Sequence, residues 1–443
     1  MSITVIDALM GSGKSSKAIE IMNTEKDKTF IYITPLLSEV DRVCSKVEGM
    51  YLCNGESKLS SLKDHLISGR SVAITHSLFH NFDNETVSII ASLDNTCLII
   101  DETVDCYQRV KISKANIDMM VENNLLRIEE TASLKKKVVL GEFIKGLSQC
   151  EQYFHLLEDR DVYVDSDGQL MIAMLPSGIY NVVDEVFIMT YNFEDTDMHC
   201  YLSFNDYDFT VKGVKNCAGE YRIVPFVETS GARYKNLITI CDNPKMNAIG
   251  KLPRNSQKKP LSKSWYMSPR VGSAEFNVLR KNCVNFFQRY SETKAVYNMF
   301  TTFKDGDSYE YARDDSNLRY IKENFEGKLK KGRQWIGQIM DYPYNDTKEN
   351  TCFVPFNTRA TNEYSDKKAL AFLVDVHYDL GVKSFFSDYD IYLDNEKYAL
   401  NTLLQWLWRS QIRKGEPVHL YIPSERMRKL LMEWLGYEEH ERF

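Results

Sequence analysis

The 443-residue sequence predicts an α/β fold of two parallel-sheet domains, and three observations carry that expectation. An apolar strand pattern at Ile3–Ile6 runs into a glycine-serine loop and then a helical pattern. A second apolar strand, Thr96–Ile100, ends in Asp101-Glu102. Strand and helix patterns alternate again beyond about residue 270, which calls for a second sheet covered by helices.

The loop Ala8-Leu9-Met10-Gly11-Ser12-Gly13-Lys14-Ser15 has the spacing of a phosphate loop. Gly11 and Gly13 allow the tight turn that aims successive N–H groups inward, and the helix beginning near Ser16 adds its positive end. Met10 to Ser16 would cradle the phosphates, Lys14 would pair the β- and γ-phosphates, and Ser15 would ligate magnesium. Ala8 stands where the strict motif has glycine. Asp101 lies 87 positions beyond Lys14 and is expected at the C-terminal edge of a buried parallel strand. There it can hold the magnesium through water, while Glu102 polarises the attacking water.

Composition narrows the class. Apolar content of 43% with 26% charged residues is that of an ordinary globular chain, long enough for two or three domains. No apolar run approaches the roughly 20 residues of a membrane span, and the basic-then-apolar start of a secretory signal is missing, so a cytoplasmic protein with no membrane partner is expected. The ten cysteines are scattered without a C-x-x-C pair, which points to reduced thiols rather than structural zinc. A net charge of −7 argues against indiscriminate coating of nucleic acid but allows a local basic groove.

Taken in order, Lys28–Ile33 reads as a strand stopping at Thr34-Pro35, and Ser71–Ile74 as a strand leading into Thr75-His76-Ser77. Loops of this kind at strand ends can hold a nucleic-acid backbone. Residues 104 to about 160 read as mostly helical, with Lys135-Lys136-Lys137 on a solvated helix face. A hairpin follows, turning at Asp165 to Gly168. Val182–Met189 resumes the sheet, with Thr190 as candidate relay of the nucleotide state. The Pro, Asn and Lys content of 241–270 reads as a linker, in which Trp265 and Tyr266 among lysines could also suit a single strand. The expected domains are therefore 1–240, with an insertion near 104–180, and 271–443. In the second, Cys352–Phe356 reads as a strand ending at Arg359 to Asn362, and Lys328–Trp335 as a basic and aromatic patch. Gln405, Arg409 and Arg413 recur every four residues, so one helix would place all three on one face. Arginines so presented can stabilise charge in phosphoryl transfer.

The ordered set of Ala8 to Ser15, Thr34-Pro35, Thr75-His76-Ser77, Asp101-Glu102, Thr190 to Phe193, Arg359 to Asn362 and Gln405/Arg409/Arg413 resembles a superfamily 2 DEAD/DEAH-like helicase of the compact type found in tailed-phage replication regions. The resemblance implies two RecA-like domains, ATP and Mg2+ as cofactors, and a nucleic-acid strand, DNA in preference to RNA, held by Thr34, Pro35, Thr75, His76, Arg359 and Thr361. It also implies phage replication proteins as partners and γ-phosphate sensing by Gln405, Arg409 and Arg413, although Arg413 stands eight residues after Gln405 where the family has seven. A phage DNA-packaging ATPase needs the same loop and acidic strand, but the sequence lacks the carboxylate cluster of an accompanying nuclease. An ATP-gated nucleic-acid-binding scaffold is the rival from outside motor enzymes.

Overall fold

The structure, a computed structural model, describes residues 2–141, 151–252, 259–267, 274–303, 353–357 and 363–438. By its internal contacts the chain divides into two units, Met1–Val227 with Tyr378–Asp394, and Glu228–His377 with Asn395–Phe443.

The first unit opens with β1 (Ser2–Asp7), β2 (Thr29–Thr34), β3 (Met50–Leu52), β4 (Ser71–Thr75) and β5 (Thr96–Asp101). Strands β6 (Tyr107–Arg109), β7 (Leu126–Glu130), β8 (Lys136–Leu140), β9 (Asp161–Val164) and β10 (Met171–Met174) follow, and then β11 (Glu185–Thr190), β12 (Thr210–Cys217) and β13 (Glu220–Pro225). Eight of these form one sheet in the order β13-β12-β1-β11-β5-β2-β4-β3. Only β13 runs antiparallel in it. Covered by helices on both faces, the inner strands bury nearly every residue, and β5 buries all six, which is why they read as unbroken apolar runs. The helix after the loop, α1 (Lys14–Thr24), sets Ala18, Ile21 and Met22 against Phe30, Tyr32 and Ile99. The fold is thus the expected α/β, parallel-sheet type.

The region 104 to 160 departs from its helical reading. It contributes to a second, antiparallel sheet of order β6-β10-β9-β8-β7. Asn124 takes a left-handed conformation (φ 57°) after the helix Lys114–Glu122, and the chain reverses into β7. Lys136 and Lys137 lie on β8 in register with Glu130 and Glu129 of β7, and their ammonium groups donate to the Ser166 carbonyl at 2.6 Å and to Asp161 at 2.7 Å, so partners on β9 and its turn rather than helical period organise the lysine run. Lys135 is buried, donating to the Phe204 carbonyl and, at 2.7 Å, to Asp206. The hairpin at 165–168 forms as read, joining β9 to β10. The helix Leu380–Ser387 belongs to this unit: Phe385 lies 5.5 Å from the Phe204 ring and Phe386 lies 5.0 Å from that of Tyr107. Beside them Tyr107 and Tyr378 both donate to Asp197, at 2.6 and 2.9 Å.

The second unit holds β14 (Ile238–Ile240), β15 (Asn298–Thr301), β16 (Ala369–Phe372) and β17 (Val418–Tyr421), all parallel in the order β14-β17-β16-β15. The described parts of 241–270 are packed rather than linker-like. Leu261, Trp265 and Tyr266 are buried, and the Tyr266 hydroxyl donates to the Leu373 carbonyl at 2.6 Å. Those aromatics are therefore core residues and offer no face to a nucleic-acid strand. Of the expected strand 352–356, Phe353 makes a single bridge to Phe300. The Lys328–Trp335 patch lies outside the described residues. Among the described residues no helix is long and apolar enough to cross a membrane.

One cap in the first unit can be tested alone. Asp83 accepts from the Thr86 N–H at 2.8 Å at the start of the helix Asn84–Ala91, and from Lys63 at 2.7 Å. Partial burial works against its ionisation, but the bonds from Lys63 and Thr86 outweigh it and hold the carboxyl at about 2. A depressed carboxyl stabilises the fold above its unfolded value near 3.8 and ceases to do so as pH falls through about 2. Asp83→Ala should cost ~1 kcal/mol at pH 7. In thermal melts the gap from the parent protein should narrow below about pH 4; a gap constant down to pH 2 would remove this account.

Candidate functional site

The C-terminal ends of the first unit's parallel strands form one edge. In register, Asp7 of β1 faces Thr190 of β11, Met189 faces Asp101 of β5, and Thr34 of β2 faces Thr75 of β4. Open parallel sheets bind ligands at this edge.

The loop 8–13 leaves β1 at the edge and returns as α1. Gly11 (φ 81°) and Gly13 (φ 98°) take the left-handed backbone that favours glycine. No side chain caps the start of α1, and its first turn holds no acidic residue, an arrangement that suits an anion at the helix's positive end. Lys14 is buried and folds back to donate to the carbonyl of Ala8 and, at 3.3 Å, to that of Leu9.

Ser15 donates to Asp101 Oδ2 at 2.7 Å, which joins the loop to the acidic strand end across 86 positions of sequence. Tyr32, buried on β2, donates to the same oxygen at 2.5 Å. Burial pushes the Asp101 carboxyl up, and the bonds from Tyr32 and Ser15 pull it down. Glu102 adopts φ 70° and donates its N–H to the Met189 carbonyl at 2.9 Å. A left-handed glutamate is a strained position of the kind that gathers at functional edges.

Asp7, one residue before the loop, accepts the N–H groups of Asn192 and Phe193 at 2.8 Å each, tying the turn after β11 to the root of the loop. Burial raises its carboxyl, while these N–H bonds and Lys14 oppose the rise. The buried hydroxyls of Ser12, Thr34 and Thr190 have no hydrogen-bond partner among the described residues. Ser12, on the loop and only partly buried, is the one of the three that a phosphate on the loop could satisfy, since Thr34 and Thr190 are fully buried. The Ser15–Asp101 pair supplies only oxygen donors, which suits a hard cation such as Mg2+. The residues present therefore fit a magnesium-bound nucleoside triphosphate.

The remaining expected residues divide. Pro35, Thr75 and His76 are half-buried on the same edge, and Thr75 caps the helix His76–Phe79 by accepting from Leu78 N–H. Thr34 is fully buried, so its side chain offers no surface to a strand. Arg359 and Thr361 lie outside the described residues. In the second unit the helix Asn395–Leu407 ends before Arg409, and Arg413 lies on the separate 3-10 turn Gln411–Lys414, so the three residues do not share one helical face. The chain tightens there through Arg409 N–H to the Trp406 carbonyl and Ser410 N–H to that of Leu407. Gln405 is half-buried and bonded to Asn401, Arg409 is buried, and Arg413 is exposed.

Comparison with known proteins adds a relationship to this geometry. Residues 232–435 match the model of the YonV C-terminal Rossmann-like domain. Over 451 aligned residues the chain is 28% identical to the SPbeta prophage-derived uncharacterized protein YonV of Bacillus subtilis (strain 168), covering 98% of each. Among solved structures, an XPD helicase aligns at 10% identity over 99% of this chain and 95% of its own, with a TM-score of 0.48. A DEAD box protein from Methanococcus jannaschii aligns at 11% identity over 99% and 87%, with a TM-score of 0.28. The fold assignment stands on the strand order and register described above.

Sequence patterns could not single out Tyr32 or Asp7. Tyr32 reads as one more ring in an apolar strand, and its bond to Asp101 spans 69 positions. Tyr32→Phe removes a donor to a buried carboxylate and should cost about 1.5–3 kcal/mol in urea unfolding at neutral pH. A cost below about 0.5 kcal/mol, within the range of ordinary surface changes, would show the bond to be dispensable.

Proposed function

We propose that the protein is an ATP-driven nucleic-acid translocase or helicase that acts on DNA in phage replication or recombination. The observation that carries this reading is the Ser15–Asp101 hydrogen bond, which unites the phosphate loop and the acidic strand end in one site. The full-length similarity to a prophage-derived protein supports the phage context.

In this reading Met10 to Ser16 hold the triphosphate, and Lys14 swings from the Ala8 and Leu9 carbonyls to the β- and γ-phosphates. Ser15 and Asp101 would hold Mg2+, which when bound neutralises charge on the phosphates. Glu102 orients the attacking water. Pro35, Thr75 and His76 contact the nucleic-acid backbone, together with Arg359 and Thr361 of the second domain. Of the three γ-phosphate sensors, exposed Arg413 is the one able to act as a finger without unpacking its surroundings, and Arg409 and Gln405 support it from within the domain. Each hydrolytic cycle is coupled to a step along the strand.

The test is steady-state ATP hydrolysis by the purified protein, alone and with single-stranded, duplex or forked DNA, or RNA. Stimulation by a DNA form is the expected result. Stimulation by RNA alone would reassign the track, and indifference to all of them would remove the motor reading in favour of a packaging or scaffold role.

A further inference from the structure

The phosphate-loop reading leaves open where the rest of the nucleotide goes, and the sheet order sets its direction. In the order β13-β12-β1-β11-β5, Asp101 and Glu102, assigned to the metal and the attacking water, end a strand two places from β1 on the side away from β12 and β13. A triphosphate laid across the loop with its terminal phosphate near Asp101 must run back towards β12 and β13, so its nucleoside emerges beside that hairpin.

The hairpin places one aromatic ring there. It turns through Ala218 (φ 55°) and Gly219 (φ 98°), with Gly219 N–H donating to Asn216 Oδ1 at 2.8 Å. Tyr221 follows on β13. A Cβ built on Gly13 would stand 1.9 Å from Tyr221 Cε1 and 2.4 Å from Cδ1, so the ring rests directly on the glycine that opens α1. Gly13 is thus fixed twice, by its positive φ and by the ring above it. Tyr221 is half-buried: part of it packs against the core cluster that includes Ala18 and Met22, and the rest is open. Glu220 and Arg222 on either side of it are exposed and paired with each other at 2.7 Å, which leaves the ring as the apolar face the hairpin can offer a nucleoside.

We propose that Tyr221 forms the base subsite, stacking the base of a nucleoside triphosphate whose phosphates lie in the loop Met10–Ser16. The proposal rests on the phosphate-loop reading, and its test separates the two. Binding of ATP and of inorganic tripolyphosphate, each with Mg2+, is measured by calorimetry on the full chain and on Tyr221→Phe, Tyr221→Leu and Tyr221→Ala. Tyr221→Leu retains apolar packing on Gly13 without an aromatic face, which guards against a fold defect in Tyr221→Ala. Expected are a loss of roughly ten-fold or more in ATP affinity for the leucine and alanine variants, unchanged tripolyphosphate affinity in all of them, and near-parental ATP binding in Tyr221→Phe. Equal losses for ATP and tripolyphosphate would make the ring a support for the loop and overturn the base subsite, as would unchanged ATP binding in the leucine variant. Failure of the parent chain to bind tripolyphosphate while binding ATP would overturn the phosphate-loop reading and the subsite with it.

Discussion

Lys14→Ala should lower ATP turnover by about 10²–10³-fold, the loss that follows removal of a principal electrostatic contact to the transferring group. The fold should survive, because the backbone at this position continues as α1 and alanine is a strong helix former. The melting temperature is therefore expected to stay within a few degrees of the parent protein, a range corresponding to about 1 kcal/mol. Turnover at the parental rate in the alanine variant would remove the central claim. A collapse in melting temperature would instead show that Lys14 holds the loop together, and that its contacts with Ala8 and Leu9 are structural.

Asp101→Asn should have the next largest effect, and its two readouts move in opposite directions. Burial raises the Asp101 carboxyl, so in the absence of metal the charged form opposes folding at neutral pH. A raised carboxyl favours the folded state below its unfolded value near 3.8, and that contribution disappears as pH rises through the folded value. An amide keeps an acceptor for Tyr32 and Ser15 while removing the charge. The metal-free variant should therefore melt at or above the parental temperature at pH 8. Stabilisation by Mg2+ with ATP should vanish, and turnover should fall by at least about 10²-fold. A variant that melts lower without metal would show that the Tyr32 and Ser15 bonds to the charged form outweigh its desolvation. A variant that retains metal-dependent turnover would remove Asp101 from the site.

What the sequence disclosed follows a physical division. Strands buried on both faces must be apolar throughout, and a loop that wraps phosphates must place glycine at positive φ, so β1, β2, β5 and the 8–15 loop are legible from neighbours in sequence. The five-stranded sheet is hidden because its strands are three to five residues long, and its lysine run gains meaning only through Asp206, Ser166 and Asp161, which lie 24 to 71 positions away. The shared-face reading of Gln405, Arg409 and Arg413 assumed that the helix continued, whereas Ser410 and the tightened bonds end it at Leu407. Tyr32 and Asp7 act through partners 69 and 185 positions away, and no local pattern encodes such a pairing.

The excursion of 378–394 into the first unit bears on how this protein can be inherited and handled. The chain passes between its units three times, after Val227, His377 and Asp394. At the later two passages Arg426 fastens the departing and returning segments, donating to Asp375 at 3.0 Å, to the Val376 carbonyl at 2.8 Å and to the Asn395 carbonyl at 3.0 Å. The stretch 232–435, similar to a domain described on its own, carries within it a helix that serves as the covering layer of the other unit's small sheet. A gene fragment ending at Val227 would strip Phe385 from Phe204 and Phe386 from Tyr107, and one beginning at Glu228 would carry a helix with nothing to cover. The two halves of the sequence are therefore not interchangeable cassettes: a cut between them removes the helix Leu380–Ser387 from the first unit's own core.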